Sequence, residues 1–162
     1  MNRNKTLQIA NAGMIAALYV VLTWIANLLG LASGAIQVRL SEALTILPVF
    51  TASAVPGLTV GCVLANLVTG CAAWDVVFGS VATLIGAVGT RLLKNRPLAA
   101  WIPPVLSNAA IVPVILIKVY GVPDAWWFLV LTVGAGEVIS CGLLGLLLWK
   151  AMKRVPQIRD MK

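Results

Sequence analysis

Two carboxylates stand against the apolar runs of this chain: Glu42, in IQVRLSEALTILP, at the mouth of one, and Glu137, in VGAGEVISCG, near the middle of another. An ionisable group deep in an apolar helix is costly unless it faces a cavity or a partner, which makes Glu137 a candidate site residue, and Glu42 joins it because it enters a proline-broken helix beside Arg39. Carboxylates in such surroundings accept N–H donors in parallel or hold a cation. Asn66, in VLANLVTG, and Asn108, in PPVLSNAAIVP, add amides at mid-helix positions. An amide there either ties helices together or touches a ligand. Asp75, in AAWDVVFG, and Asp124, in GVPDAWW, stand where helices begin, so each is read first as a cap on backbone N–H groups. Capping accounts for Asp124, whereas for Asp75 a site role stands beside it. Ser41 is the expected cap of the helix that Glu42 enters, and Arg39 is the expected ion-pair partner of Glu42.

The elements that must position these groups follow from composition. Sixty per cent of the 162 residues are hydrophobic, 10% are charged, and mean hydropathy is +0.99. A soluble domain is roughly half apolar, so this composition describes an integral membrane protein. A membrane-spanning helix takes about 20 mostly apolar residues. On that scale the charges divide the chain into helices expected near 7–29, 42–53, 56–73, 75–93, 98–118 and 125–149. The uncharged block from Ala43 to Ala73 is too long for one crossing, and Pro48 and Pro56-Gly57 divide it into two short or broken helices.

Charge supports six crossings. With the N-terminus inside, Arg3, Lys5, Arg91, Lys94, Arg96, Lys150, Lys153, Arg154, Arg159 and Lys162 all fall on the cytoplasmic side, and only Arg39 and Lys118 fall outside. A single crossing by residues 43–73 would put Arg91, Lys94 and Arg96 opposite the basic N-terminus. The six tryptophans fit the same arrangement, with Trp24, Trp74, Trp126 and Trp127 at outer ends and Trp101 and Trp149 at inner ends. The expected fold is therefore an all-α membrane protein, six transmembrane helices in one compact bundle over residues 1–162, with both termini cytoplasmic. The first span is too long for a signal-peptide core and is kept as a mature helix.

Several functions lose support. The net charge of +7 sits in helix-flanking clusters that suit orientation and anionic headgroups better than nucleic acid. With no histidine there is no His-based triad, and three cysteines without a CxxC pair, Cys62, Cys71 and Cys141, make a poor metal set and read as small buried hydrophobes. GAVGT at 86–90 lacks the spacing and lysine of a phosphate-binding loop, so no cofactor is expected in this chain and ATP-driven work falls to a partner. No internal repeat of the kind many carriers show is visible. Paired acids without a nucleophile leave little for an enzyme to use.

Glu42, Asn66, Asp75, Asn108 and Glu137 belong to the outer half or middle of five different helices, the layout of a small-molecule pocket that opens outward. On the first helix, Ala12-x-x-x-Ala16 and Gly13-x-x-x-Ala17 form adjacent stripes of small residues, suited either to packing within the bundle or to docking a partner subunit.

In order along the chain, the Ala-x-x-x-Ala helix, IQVRLSEALTILP, VPGLTVGCVLANLVTG, WDVVFGSVATLIGA, PPVLSNAAIVP and GAGEVISCGLLG resemble the QueT family, substrate-binding S-components of energy-coupling-factor (ECF) transporters for queuosine precursors. The resemblance implies a six-helix cell-membrane subunit that takes a 7-deazaguanine base from outside and delivers it inward with a scaffold membrane protein and two ATPases. Ala12 and Ala16 would then meet the scaffold's coupling helices. The residues suit this cargo: Glu137 or Glu42 for the paired N–H donors of a guanine-like ring, Asn108 or Arg39 for its carbonyl, the remaining acid or Asp75 for an aminomethyl ammonium, and Trp74, Tyr19 or Trp127 for its face. A self-sufficient ion-coupled permease, with Glu137 as proton site, or an S-component for a different vitamin, is the competing reading.

Overall fold

The computed structural model describes residues 3–31 and 36–155, with side chains from residue 5 onward. Arg159, Lys162 and the side chain of Arg3, counted above among the cytoplasmic charges, lie outside the described residues. Six helical elements follow one another: α1 (Arg3–Leu28), a 3-10 helix (Leu40–Val49), α2 (Ala54–Val68), α3 (Ala73–Leu92), α4 (Ile102–Lys118) and α5 (Trp126–Met152). Among the described residues there is no strand. Three helices, Lys5–Leu28, Ala73–Leu92 and Trp126–Met152, are long and apolar enough to cross a membrane, and the other three elements are shorter apolar helices. Leu7, Met14, Leu18, Val21, Leu67, Leu106 and Leu131 are exposed on the outer surface, as befits helices with hydrocarbon around them.

The block expected to break does so between the 3-10 helix and α2, although the first piece is not an α-helix. Pro48 has no N–H to bond back along an α ladder. Thr45 Oγ1 donates to Glu42 O at 2.6 Å, engaging a carbonyl from the side-chain direction. The ends of the segment close with i to i−3 bonds, Glu42 N to Arg39 O and Phe50 N to Leu47 O. Such a helix rises ~2.0 Å per residue instead of ~1.5 Å, so its ten residues stretch across ~20 Å of the interior. Seven of its residues, Ser41, Glu42 and Leu44 through Pro48, are buried.

Glycine and alanine let the helices approach closely. A Cβ at Gly61 would come within 3.0 Å of Ala16 Cα, and one at Gly57 within 2.8 Å of Ala12 O, so α1 lies directly on α2. Gly86 and Gly89 accept Pro104 and Pro103 of α4 in the same way, at 2.7 Å and 2.4 Å. These prolines seat α4 on α3, and Ser107 Oγ donates to Pro104 O at 3.0 Å.

Successive elements alternate in direction. Arg91, near the end of α3, donates from Nη1 to Pro48 O at 2.9 Å, so these two C-terminal ends share one side of the bundle. The end of α1, the start of the 3-10 helix, the end of α2, the start of α3 and the end of α4 meet on the opposite side. Gly70 and Gly121 turn the chain there with φ of 73° and 63°, values that favour glycine, just past the ends of α2 and α4.

Candidate functional site

A cavity of about 340 Å³ opens where those ends meet, within the range of small-molecule sites. Tyr19, Arg39, Asn66, Asp75 and Tyr120 line it, together with Thr23 and Gln37. Asn66 Nδ2 donates to Asp75 O at 3.3 Å, locking α2 to α3 at the rim. The Tyr120 hydroxyl donates to Asp75 Oδ2 and accepts from Ala72 N, each at 3.1 Å, tying the end of α4 to the start of α3. Asp75 is thus committed to the cavity wall. The N-cap of α3 is Ala72, and no side chain caps it.

A buried polar cluster lies deeper, around Glu42 (1% exposed), Glu137 (6%) and Asn108 (3%). The Tyr19 hydroxyl donates to Glu42 Oε1, while Glu42 Oε2 has no hydrogen-bond partner. Cys141 Sγ donates to Glu137 Oε2 at 3.2 Å and lies 3.4 Å from Thr45 Oγ1, whose hydrogen goes to the closer Glu42 O. Asn108 neighbours Glu137, yet its Nδ2 has no acceptor in bonding geometry. Arg39 interacts electrostatically with both Glu137 and Glu42 from the cavity above.

Backbone packing creates this convergence. Gln37 O sits 2.0 Å from where a Cβ at position 136 would stand, so only glycine lets the segment before the 3-10 helix lie against α5. Arg39 N then donates to Ser140 Oγ at 3.1 Å, and Ser140 Oγ donates in turn to Gly136 O at 2.9 Å. From Val138 to Leu144 helix α5 widens into a π turn, a local deformation that often accompanies functional sites. Glu137 ends the preceding α-helical stretch, next to that deformation.

The expected site residues divide into three groups. Arg39, Asn66 and Asp75 meet at the cavity, and Glu42, Asn108 and Glu137 form the buried cluster. Trp74 joins neither: it is 61% exposed and stacks on Phe78 at 5.7 Å, lining an outer groove between α3 and α4. Trp127 is exposed as well, edge-on to Phe128. Of the three aromatics expected to face a ring, Tyr19 alone lines the cavity, joined there by Tyr120. The small-residue stripes also separate. Ala16 is buried and Ala12 half-buried against α2, whereas Gly13 and Ala17 are exposed.

Other local expectations need correction. Ser41 does not cap the 3-10 helix, which has no side-chain cap; its Oγ accepts from Thr23 Oγ1 at 2.8 Å. Asp124 does not cap α5, whose N-cap is Ala125 without a side-chain bond. The expected ion pair of Arg39 with Glu42 is not formed among the described residues: Glu42 Oε1 accepts from Tyr19 and Oε2 has no hydrogen-bond partner, so Arg39 acts on Glu42 and Glu137 only through its field. Cys141 is a hydrogen-bonding member of the cluster beyond its role as a small hydrophobe, a role its i, i+4 spacing from Glu137 allowed. Tyr120 had no such signal, because its partners Asp75 and Ala72 are far along the chain, and neither did the contact of Thr23 with Ser41.

Glu42, Glu137 and Cys141 present donor atoms within 4.8 Å of one another. The thiol hydrogen is already committed to Glu137 and Arg39 adds positive charge, so the cluster suits an organic ligand bearing N–H donors better than a metal ion.

The family model of the QueT transporter matches residues 9–154. The chain is 35% identical over 86 residues to the queuosine precursor transporter QueT of Lactococcus lactis subsp. cremoris (strain MG1363). That alignment covers 52% of this chain and 50% of the relative, so the chain spans about half the length of the curated relative it matches. No solved structure matches.

Proposed function

The chain belongs to the QueT transporter family, and from that premise we propose that it is the membrane-embedded substrate-binding subunit of an ECF-type importer for a queuosine precursor, a 7-deazaguanine base. The observation that carries this reading is the pair of unpartnered buried atoms, the acceptor Glu42 Oε2 and the donor Asn108 Nδ2. A buried polar atom without a partner costs about 1–3 kcal/mol, which a ligand that completes the bond restores. A guanine-type ring carries N–H donors beside a carbonyl, the complement of this pair.

On this reading the base enters past Arg39 and Tyr120, sets its N–H edge on Glu42 and directs its carbonyl to Asn108. Glu137 or Asp75 attracts the ammonium of an aminomethyl form, and Tyr19 and Tyr120 border the ring. The six elements cross the cell membrane with both termini cytoplasmic, which puts the cavity outside. Energy comes from a scaffold membrane protein and two ATPases, and the exposed Gly13 and Ala17 surface of α1 is where the scaffold docks.

Two measurements test this. Denaturing the purified protein and identifying the released ligand by mass spectrometry should yield a 7-deazapurine; a vitamin of another class would overturn the substrate. Uptake in proteoliposomes should require the ATP-hydrolysing partner complex. Uptake by the isolated chain driven by a proton gradient would replace the importer subunit with an ion-coupled permease.

A further inference from the structure

On the outer surface of α5 lies a second, larger concavity, about 1120 Å³, bounded on its other side by Leu98 and Trp101 of the α3–α4 connection. Its wall along α5 is apolar, formed by Ile139, Leu143 and Leu147, and includes part of the π turn, where a Cβ built at Gly142 would stand 3.5 Å from the Trp101 ring. At one end the lining changes abruptly to Lys150, Lys153 and Arg154. The Lys153 ammonium stands 5.0 Å over the Trp149 ring, which holds that charge at the groove edge.

Lys150 lies in the last turn of α5 and Lys153 and Arg154 in the turn that follows it, so three like charges gather at this helix end. Among the described residues no carboxylate lines this groove: Glu42 and Glu137 are interior, and Asp75 and Asp124 line other cavities. An apolar trough ending in a cluster of positive charge is complementary to an amphiphile with an anionic head. We propose that this groove is a binding site for an anionic phospholipid, its acyl chain along Ile139, Leu143 and Leu147 and its phosphate at Lys150, Lys153 and Arg154. Basic pockets at helix ends recognise lipid headgroups by the same combination of charge and burial.

The test uses the full chain in neutral detergent, titrated with equimolar phosphatidylglycerol and phosphatidylcholine of identical acyl chains and read by native mass spectrometry. The wild type should retain phosphatidylglycerol about fivefold over phosphatidylcholine or more. The triple variant Lys150→Gln/Lys153→Gln/Arg154→Gln should bring that ratio near unity, and Leu143→Trp, which fills the trough, should lower total lipid retention. A control with the same loss of charge elsewhere, Lys5→Gln/Lys94→Gln/Arg96→Gln, should keep the preference. The proposal is overturned by equal retention of both lipids in the wild type, or by a control that loses the preference as fully as the triple variant. Displacement of the lipid by inorganic phosphate alone would also overturn it, since the site would then be ionic without a chain groove. No transport substrate enters these measurements, so their outcome is separate from that of the importer reading.

Discussion

The Tyr19 hydroxyl of α1 bonds to one oxygen of Glu42 in the 3-10 helix and leaves the other oxygen of the same carboxylate without a partner. Tyr19 is 2% exposed, and a Cβ at Gly61 of α2 would stand 2.8 Å from its own Cβ, so the ring has little room to move. One oxygen of the carboxylate is thus held in orientation while the other keeps an unmet acceptor position, so a base bound as proposed would meet an acceptor already oriented.

Tyr19→Phe removes the orienting bond and keeps the ring. A hydrogen bond to a carboxylate contributes about 1.5–3 kcal/mol if the group is charged. The variant should melt at lower temperature and bind a 7-deazaguanine base about tenfold more weakly by isothermal titration calorimetry. Unaltered affinity would show that Glu42 needs no orientation by Tyr19.

Glu137→Gln should weaken base binding at least about tenfold, ~1.4 kcal/mol, with the helical circular dichroism spectrum retained. The amide preserves the volume while removing one acceptor and any negative charge, so a packing role alone would leave the dissociation constant where it was.

The two faces of α1 should respond differently to a large side chain. Ala16 lies 3.0 Å from a Cβ built at Gly61, so Ala16→Trp overpacks the α1–α2 contact and should cost about 1–3 kcal/mol of stability. Gly13 has nothing within 4 Å of a built Cβ. Gly13→Trp should leave the melting temperature and base affinity near wild type and reduce uptake only when the partner complex is required. Loss of base affinity in Gly13→Trp would remove this face from consideration as a docking surface.

Gly136→Ala puts a methyl group 2.0 Å from Gln37 O, a backbone atom that moves only with its whole segment. The segment before the 3-10 helix should shift off α5 and carry Arg39 away from Glu137. Hydrogen exchange at residues 37–39 should rise and base binding should fall. A variant with native exchange and affinity would show that the close approach is not needed.

Tyr120→Phe cuts the link between Asp75 and the end of α4 at the cavity mouth. Loss of a hydrogen bond worth about 0.5–1.5 kcal/mol should raise the base dissociation rate several-fold, measured by stopped flow, with little change in melting temperature. An unchanged rate would mean that the mouth opens elsewhere.

Much of the fold was legible because the bilayer imposes a one-dimensional rule: apolar stretches, prolines and charges along the chain divide it into six helical elements close to the expected bounds. The same rule singled out Glu42, Asn66, Asp75, Asn108 and Glu137, since polar groups stand out against an apolar background. The 3-10 form of Leu40–Val49 was hidden, because it depends on Thr45 engaging a carbonyl and on packing over its whole length as well as on Pro48. Whether Trp74 faces the lipid interface or the cavity was hidden for a related reason: helical phase relative to neighbours decides which way a side chain at a helix start faces.

By itself, then, the sequence determined the class of protein, the helical division and the inventory of polar groups, since these follow from local hydropathy and residue chemistry. Only the tertiary structure decided which of those groups meet. Gly136 against Gln37, Gly61 against Ala16 and Gly86 against Pro104 set the distances between elements far apart in the chain. Those close approaches gather Glu42, Glu137, Asn108 and Arg39 in one region, put Ala16 inside the bundle and Gly13 outside it, and leave Glu42 Oε2 and Asn108 Nδ2 without a hydrogen-bond partner. No local pattern encodes them, because close packing is a property of two surfaces at once.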